Sequence, residues 1–290
     1  MLDQKTEPPS DLEPSAREAA HQPDDETPPW EDQGAASSGG GALGRFSAGV
    51  ADPNAGGRRP PPIWRRLLVL LIQAILLIGV AFGVLSVFAV FIFGWTGTPP
   101  TITMTQRAMA GMDVQRQWTP LKDVSPHLVR AVIAAEDQRF CTHNGFDVVE
   151  IRRAIEAAER GRNLRGASTI TQQTAKNVYL FNGGGFVRKG IEAWFTVLTE
   201  FMWSKPRIME TYLNVAEWGD GLFGAEAAAQ ARFGVSAKDL TPTQAALMAA
   251  VLPSPHRWRI DGSYAQGRAG QIRTLMGVVR RDGLDACVVS

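Results

Sequence analysis

From Leu67 to Phe93 run 27 residues without a charge, with Gln73 the one strongly polar side chain. As a helix this run rises about 40 Å, more than the roughly 30 Å of hydrocarbon in a bilayer, so it is long enough to span with some tilt. A core helix of a soluble protein is apolar along one stripe, and few are apolar all round for this length. The run also lies too far in, and is too long, for a simple cleaved signal peptide. Trp64 and Trp95 bracket it as interfacial anchors do. Arg58, Arg59, Arg65 and Arg66 precede it, and no Lys or Arg follows before Arg107. The positive-inside rule then sets the N-terminus in the cytoplasm and the body of the chain on the outer side. The organisation read from this is a basic juxtamembrane segment at 58–66, a transmembrane helix at 67–95, and a working domain at the outer face of a membrane.

The near-neutral total hides a charge asymmetry. Residues 1–57 hold eleven Asp and Glu against three Lys and Arg, a net −8, which leaves +9 on the remainder of a +1 chain. The head is rich in Pro, Gly and Ser without apolar periodicity, so it is expected to be a disordered acidic tail. A basic body favours an anionic partner: phosphate, nucleic acid or a membrane surface. Cys141 and Cys287 are too few for a disulfide framework and lack metal-ligand spacing; a bond between them needs an oxidising compartment and is left open by the sequence.

Beyond the anchor, 96–122 reads as a linker with Pro99, Pro100 and little pattern. Ser125-Pro126 opens a helix, Ser as N-cap and Pro at the first position, with Leu128, Val129, Val132 and Ile133 on its apolar stripe. It ends at Glu136-Asp137, an acidic pair that opposes the helix dipole there; a local rule broken this way points to function. Asn144-Gly145 marks a turn, and Asp147 with Glu150 reads as a capping box for a helix to about Arg160. Further helices are expected at 186–203, 206–214, 225–232 with Gly234 as its stop, from the Thr241–Gln244 capping box to Val251, and at 264–280. Glu217–Gly224 reads as a glycine-rich loop, and no convincing run alternates as strands do. The fold class is mainly α.

Arg165–Asn177 is almost entirely small or polar, so apolar burial does not explain its order. Ser168 fits an N-cap, and Thr169, Gln172, Gln173 and Lys176 then crowd one flank of a helix, at spacings of three and four. One reading is a solvated helix start; the other is a set of donors for a polar, anionic ligand. Arg188 and Glu192, four apart, form either a surface ion pair or a carboxylate held beside two cations, Arg188 and Lys189, that stabilise a phosphate leaving group. His143 alone is more often structural than a ligand, and Phe140 is ordinarily core.

Together these stretches resemble the peptidoglycan glycosyltransferase family found in bifunctional penicillin-binding proteins. The resemblance rests on Glu136–Phe140 with His143–Phe146, on Gly166–Gln173 with Lys176-Asn177, on Arg188–Glu192, on Lys205–Asn214, and on Gly221–Ala228, in order within 105–260. No Ser-x-x-Lys region follows, so the likeness is to the monofunctional branch. Residues 1–57 and the C-terminal helix and tail at 261–290 lie outside it.

The resemblance implies a lysozyme-like, two-lobed helical domain behind a single N-terminal transmembrane helix. It implies polymerisation of lipid II into β-1,4-linked glycan strands with inversion and release of undecaprenyl diphosphate. Glu136 matches the general base. Glu192 matches the second essential carboxylate, which orients the cations, binds a divalent ion or assists departure. Lys176, Arg188 and Lys189 match the positions that hold the diphosphate. Asp137, Phe140, His143, Ser168, Thr169, Gln172, Gln173 and Asn177 match positions that shape and bind the donor. No cofactor is required; a divalent cation (Mg or Mn) near Glu192 or the diphosphate is left open. Expected partners are lipid II, the growing strand, membrane lipids and cell-wall synthesis or division proteins, with no nucleic acid. The expected location is the bacterial inner membrane with the catalytic domain in the periplasm. Two rivals stand beside this reading: a lysozyme-like lytic enzyme, which also uses paired carboxylates, and an inactive membrane-anchored scaffold.

Overall fold

A computed structural model describes residues 62–161, 168–181 and 183–289. The acidic head, Arg58, Arg59 and Arg165–Ala167 of the polar stretch lie outside the described residues.

Helix α1 (Ile63–Thr96) is continuous over 34 residues, about 51 Å at the α-helical rise. Apolar side chains from Leu67 to Phe88 point outward around it, while Ser86 and Val90 are buried. Only its last turns are docked on the body. The Trp203 indole N–H donates to the Val90 carbonyl at 2.8 Å, and Arg207 donates to the Phe93 carbonyl at 2.6 Å. Gly94 permits this approach: a Cβ there would lie 2.8 Å from Trp203 Nε1. Trp118, whose role the sequence does not settle, lies between the guanidinium groups of Arg116 and Arg207, each 5.4 Å from its ring centre.

The expected linker is more ordered than its composition suggests. It holds α2 (Ile102–Met109), capped by Thr101, then strand β1 (Gln115–Arg116) and a 3-10 turn at Leu121–Asp123. Helix α2 has two turns and only Thr103 and Met104 buried, too little for an apolar stripe to register.

Helix α3 (Pro126–Glu136) starts on Ser125, whose hydroxyl accepts from the His127 N–H. Helix α4 (Val148–Glu159) starts on Asp147, which accepts from the Val149 and Glu150 N–H groups. The reciprocal half of that capping box is not made; Glu150 pairs with Arg153 instead. Then come α5 (Ile170–Tyr179), α6 (Phe186–Met202) and α7 (Lys205–Val215). The segment read as a glycine-rich loop is a bulged hairpin of β2 (Glu217–Gly219) and β3 (Leu222–Phe223), with β1 parallel to β3 on the other side. Strands of two or three residues are too short for an alternating pattern. Gly221 turns the hairpin at φ +71°, where a Cβ would sit 2.4 Å from the Asp113 carbonyl oxygen. Helices α8 (Ala225–Phe233), α9 (Pro242–Val251) and α10 (Ser263–Arg281) complete the fold; Gly234 stops α8 in the left-handed conformation.

The helices form two packed groups. One is α3, α9 and α10, where Ala245, Ala246, Ala249 and Ala250 are buried and let the axes approach. Leu128 and Ile133 of α3 are fully buried there, each worth about 1.5–3 kcal/mol. The other group is α5, α6 and α7, with α1 against α6. Cys141, just beyond α3, is disulfide-bonded to Cys287, just beyond α10.

Candidate active site

The acidic end of α3 is where the two groups meet. Asp137 is mismatched to its own helix but not to its surroundings. Its carboxylate accepts the Ile170 N–H, the first of α5, at 3.0 Å, and a helix N-terminus favours negative charge. His143 Nε2 lies 3.0 Å from the same carboxylate, and both side chains are buried. Asp137 and His143 therefore tie the first motif to α5. Phe140 is fully buried, edge-on to His143 and under the Lys205 ammonium at 4.5 Å. It shapes the site from behind and touches nothing in the cleft.

Glu136 is free of these ties. Gln173 Nε2 donates to Glu136 Oε2 at 2.9 Å. The hydroxyl of buried Tyr212 lies 3.5 Å from Gln173 Oε1, an arrangement that turns the amide NH₂ toward Glu136. Burial pushes the Glu136 carboxyl up; the Gln173 hydrogen bond, Arg268 and Lys176 pull it back toward the carboxylate. A carboxyl raised by burial and hydrogen-bonded at the edge of a cleft has the setting of a general base.

Helix α5 begins one residue later than its sequence suggests. Thr169 is the N-cap, accepting from the Gln172 N–H while Gln172 Oε1 accepts from the Thr169 N–H. The Thr169 hydroxyl also donates to the Gly145 carbonyl at 2.7 Å. Gln172 is thus a buried cap, and Ser168 is exposed at the lip of the cleft. Asn177 is half-buried one residue beyond Lys176.

Glu192 of α6 is 2% exposed and is gripped by both cations of its helix: Arg188 at 2.9 Å, and Lys189. The surface ion pair allowed by the spacing is therefore a buried-carboxylate cluster. Burial lowers the Lys176 ammonium; Glu192 raises it, and Arg188 and Lys189 lower it again. Lys176 thus lies in the field of the same cluster and of Glu136. Three cations and one carboxylate leave this end of the site at net +2. Both Glu192 oxygens are engaged by cations, so this donor set does not fit a divalent metal.

Two cavities meet at Glu136 and share Ala135, Glu136 and Ser168. One, of about 370 Å³, is also bounded by Asp137, Arg139, Asp147 and Thr169. The other, of about 620 Å³, is bounded by Gln173, Arg257, Trp258, Tyr264 and Arg268. Arg268 and Tyr212 are the site residues that sequence reasoning passed over. Tyr212 lies in a quoted motif but reads there as a core position of α7. Arg268 lies beyond the resemblance, and no local pattern connects it to Glu136.

Two helix groups thus meet at a cleft that holds a half-buried glutamate, with a cationic cluster on α5 and α6. The family model described as "Transglycosylase" matches residues 103–277. A "Biosynthetic peptidoglycan transglycosylase" of Caulobacter vibrioides is 50% identical over 226 residues, 77% of this chain and 97% of the relative. One of Rhodospirillum centenum is 50% identical over 68% of this chain and 87% of its own, and one of Pseudomonas putida (strain GB-1) is 49% identical over 67% and 86%. The chain belongs to the transglycosylase family, and the two helix groups are the lobes of its lysozyme-like domain.

Proposed function

We propose that this chain is a peptidoglycan glycosyltransferase that polymerises lipid II at the outer face of the bacterial inner membrane. The observation that carries the reading is that α5 links the two charged groups: its Gln173 bonds the half-buried Glu136 carboxyl, and its Lys176, one turn on, lies in the field of Glu136 and of Arg188, Lys189 and Glu192. In the reaction, the sugar 4-hydroxyl oxygen of lipid II attacks the anomeric carbon of the growing strand. The proton of that hydroxyl passes to Glu136, and the bond from the anomeric carbon to the diphosphate oxygen breaks. Attack opposite an α-linked leaving group gives a β-1,4 bond. The leaving diphosphate gains negative charge, which the net +2 cluster is suited to accept. Glu192 holds Arg188 and Lys189 in place. The reading assigns no divalent cation to Glu192.

A lipid-linked substrate also accounts for the surface of α6. Phe186, Val187, Trp194, Val197 and Phe201 are exposed on it, and Trp194 and Phe195 approach Phe82 of α1 at 6.5 and 6.2 Å between ring centres. An apolar helix face beside a membrane span fits the bilayer interface. Arg188 and Lys189 on that helix then meet a diphosphate at head-group level. The orientation is further supported by the Cys141–Cys287 bond, which belongs in an oxidising compartment.

Hydrolysis of an uncharged glycosidic bond has no use for the cationic cluster, which weighs against the lytic rival. The test is the full-length protein in detergent with labelled lipid II, run alongside preformed glycan. A ladder of lengthening strands with release of undecaprenyl diphosphate is expected. Shortened glycan without a ladder would make the enzyme lytic, and neither product would make it a scaffold.

A further inference from the structure

The larger cavity at Glu136 has a wall that the proposed chemistry does not use. The segment after α9 and the start of α10 bring Trp258 and Tyr264 together with ring centres 3.8 Å apart and planes 18° apart. The Arg257 guanidinium lies over the Trp258 ring at 4.9 Å. Trp258 is half-buried against the main core, while Tyr264 and Arg257 are exposed. Hydrogen bonds from the Arg257 and Trp258 N–H groups to the Ser254 carbonyl, both 3.0 Å, curl the segment. His256 latches it to the β2–β3 hairpin through Glu217 and Asp220. The stack is thus a fixed shelf, built by residues outside the stretches that first suggested the family. On the same wall Arg268 donates to the Ala135 carbonyl at 3.4 Å, and its buried Nε has no partner.

We infer that the Trp258–Tyr264 stack with Arg257 is a subsite for the elongated strand, one that holds a sugar ring of the polymer away from the bond being made. The inference rests on the glycosyltransferase reading. An amino-sugar ring presents an apolar C–H face, which aromatic rings cover; the acidic peptide stems on alternate sugars present carboxylates, which a guanidinium binds. The cavity of about 620 Å³ lies within the roughly 300–1,000 Å³ usual for ligand sites. It begins at Glu136, so a strand whose end reacts there has the shelf as its next support. A subsite that grips the polymer rather than the reacting sugar keeps the strand on the enzyme between additions, and so sets strand length.

Strand binding is separable from chemistry, and the test uses that. Full-length Glu136→Gln protein in detergent is titrated with a soluble, lipid-free glycan oligomer, with and without its peptide stems, by calorimetry. Tyr264→Ala in that background is expected to weaken both ligands about tenfold, or about 1.4 kcal/mol. Arg257→Gln is expected to weaken only the stem-bearing ligand. Both side chains are exposed, so these variants fold, and Tyr264→Phe restores binding. In otherwise wild-type enzyme, Tyr264→Ala shortens the strands made from lipid II. Binding within twofold of the parent for Tyr264→Ala, or strand length unchanged, overturns the subsite. Failure of the underlying reading looks different: wild type itself would then build no ladder from lipid II, whatever residue stands at 264.

Discussion

The Cys141–Cys287 bond closes a loop over 146 positions of the sequence and joins the segment behind Glu136 to the end of the helix that carries Arg268. In the chain-entropy account such a crosslink removes about 17 cal/mol/K from the unfolded ensemble, or about 5 kcal/mol at 25 °C, and native disulfides ordinarily deliver about 2–4. A domain of this size loses roughly 2–4 °C of Tm per kcal/mol, so a loss of about 3 kcal/mol lowers Tm by roughly 6–12 °C. The assay is thermal unfolding by circular dichroism of the full chain in detergent, comparing wild type with Cys141→Ser/Cys287→Ser, with and without reductant. Wild type is expected to drop on reduction to the Tm of the double variant, which itself ignores reductant. If the variant melts with oxidised wild type, or if wild type titrates two free thiols without reductant, the crosslink is not a support of this fold.

Gln173→Leu removes the hydrogen bond that favours the Glu136 carboxylate, so the carboxyl rises further. The acid limb of kcat/KM is then expected to move to higher pH; an unmoved limb detaches either Gln173 or Glu136 from the base function. Thr169→Ala removes the N-cap of α5 and strands the Gly145 carbonyl. It is expected to cost about 1–2 kcal/mol in a denaturant titration, and an unchanged midpoint contradicts the capping account. Gly221→Ala forces a Cβ into a left-handed position 2.4 Å from the Asp113 carbonyl. It should destabilise by more than the roughly 1 kcal/mol of an ordinary backbone penalty; a wild-type Tm would place the hairpin elsewhere.

What was legible in the sequence was whatever is encoded within one turn of chain. Ser125-Pro126 and Thr241 with Gln244 both cap the helices they announce. The apolar run is one helix. The start of α5 slipped from Ser168 to Thr169 because both hydroxyls can cap and only Thr169 has Gln172 three residues on. Helix α2 and the small sheet escaped because their signals are shorter than the periods that reveal helices and strands. The individual site residues were legible as types but not as neighbours. The resemblance put Asp137 and His143 among the donor-shaping positions, and their hydrogen-bond partners within the fold are Ile170 of α5 and each other. Lys205, which reaches Glu200 and the His143 carbonyl, Tyr212 and Arg268 act across the fold, where sequence spacing carries no information.

The central claim is that Glu136 removes the proton from the attacking hydroxyl. It is tested most directly by single-turnover rates of wild type and Glu136→Gln on labelled lipid II at neutral pH. Glutamine keeps the size and a hydrogen-bonding group but accepts no proton, so the rate is predicted to fall by about 10²–10⁴, with Tm unchanged. A Glu136→Gln enzyme that still builds the ladder within tenfold of wild type would show that the proton leaves by another route.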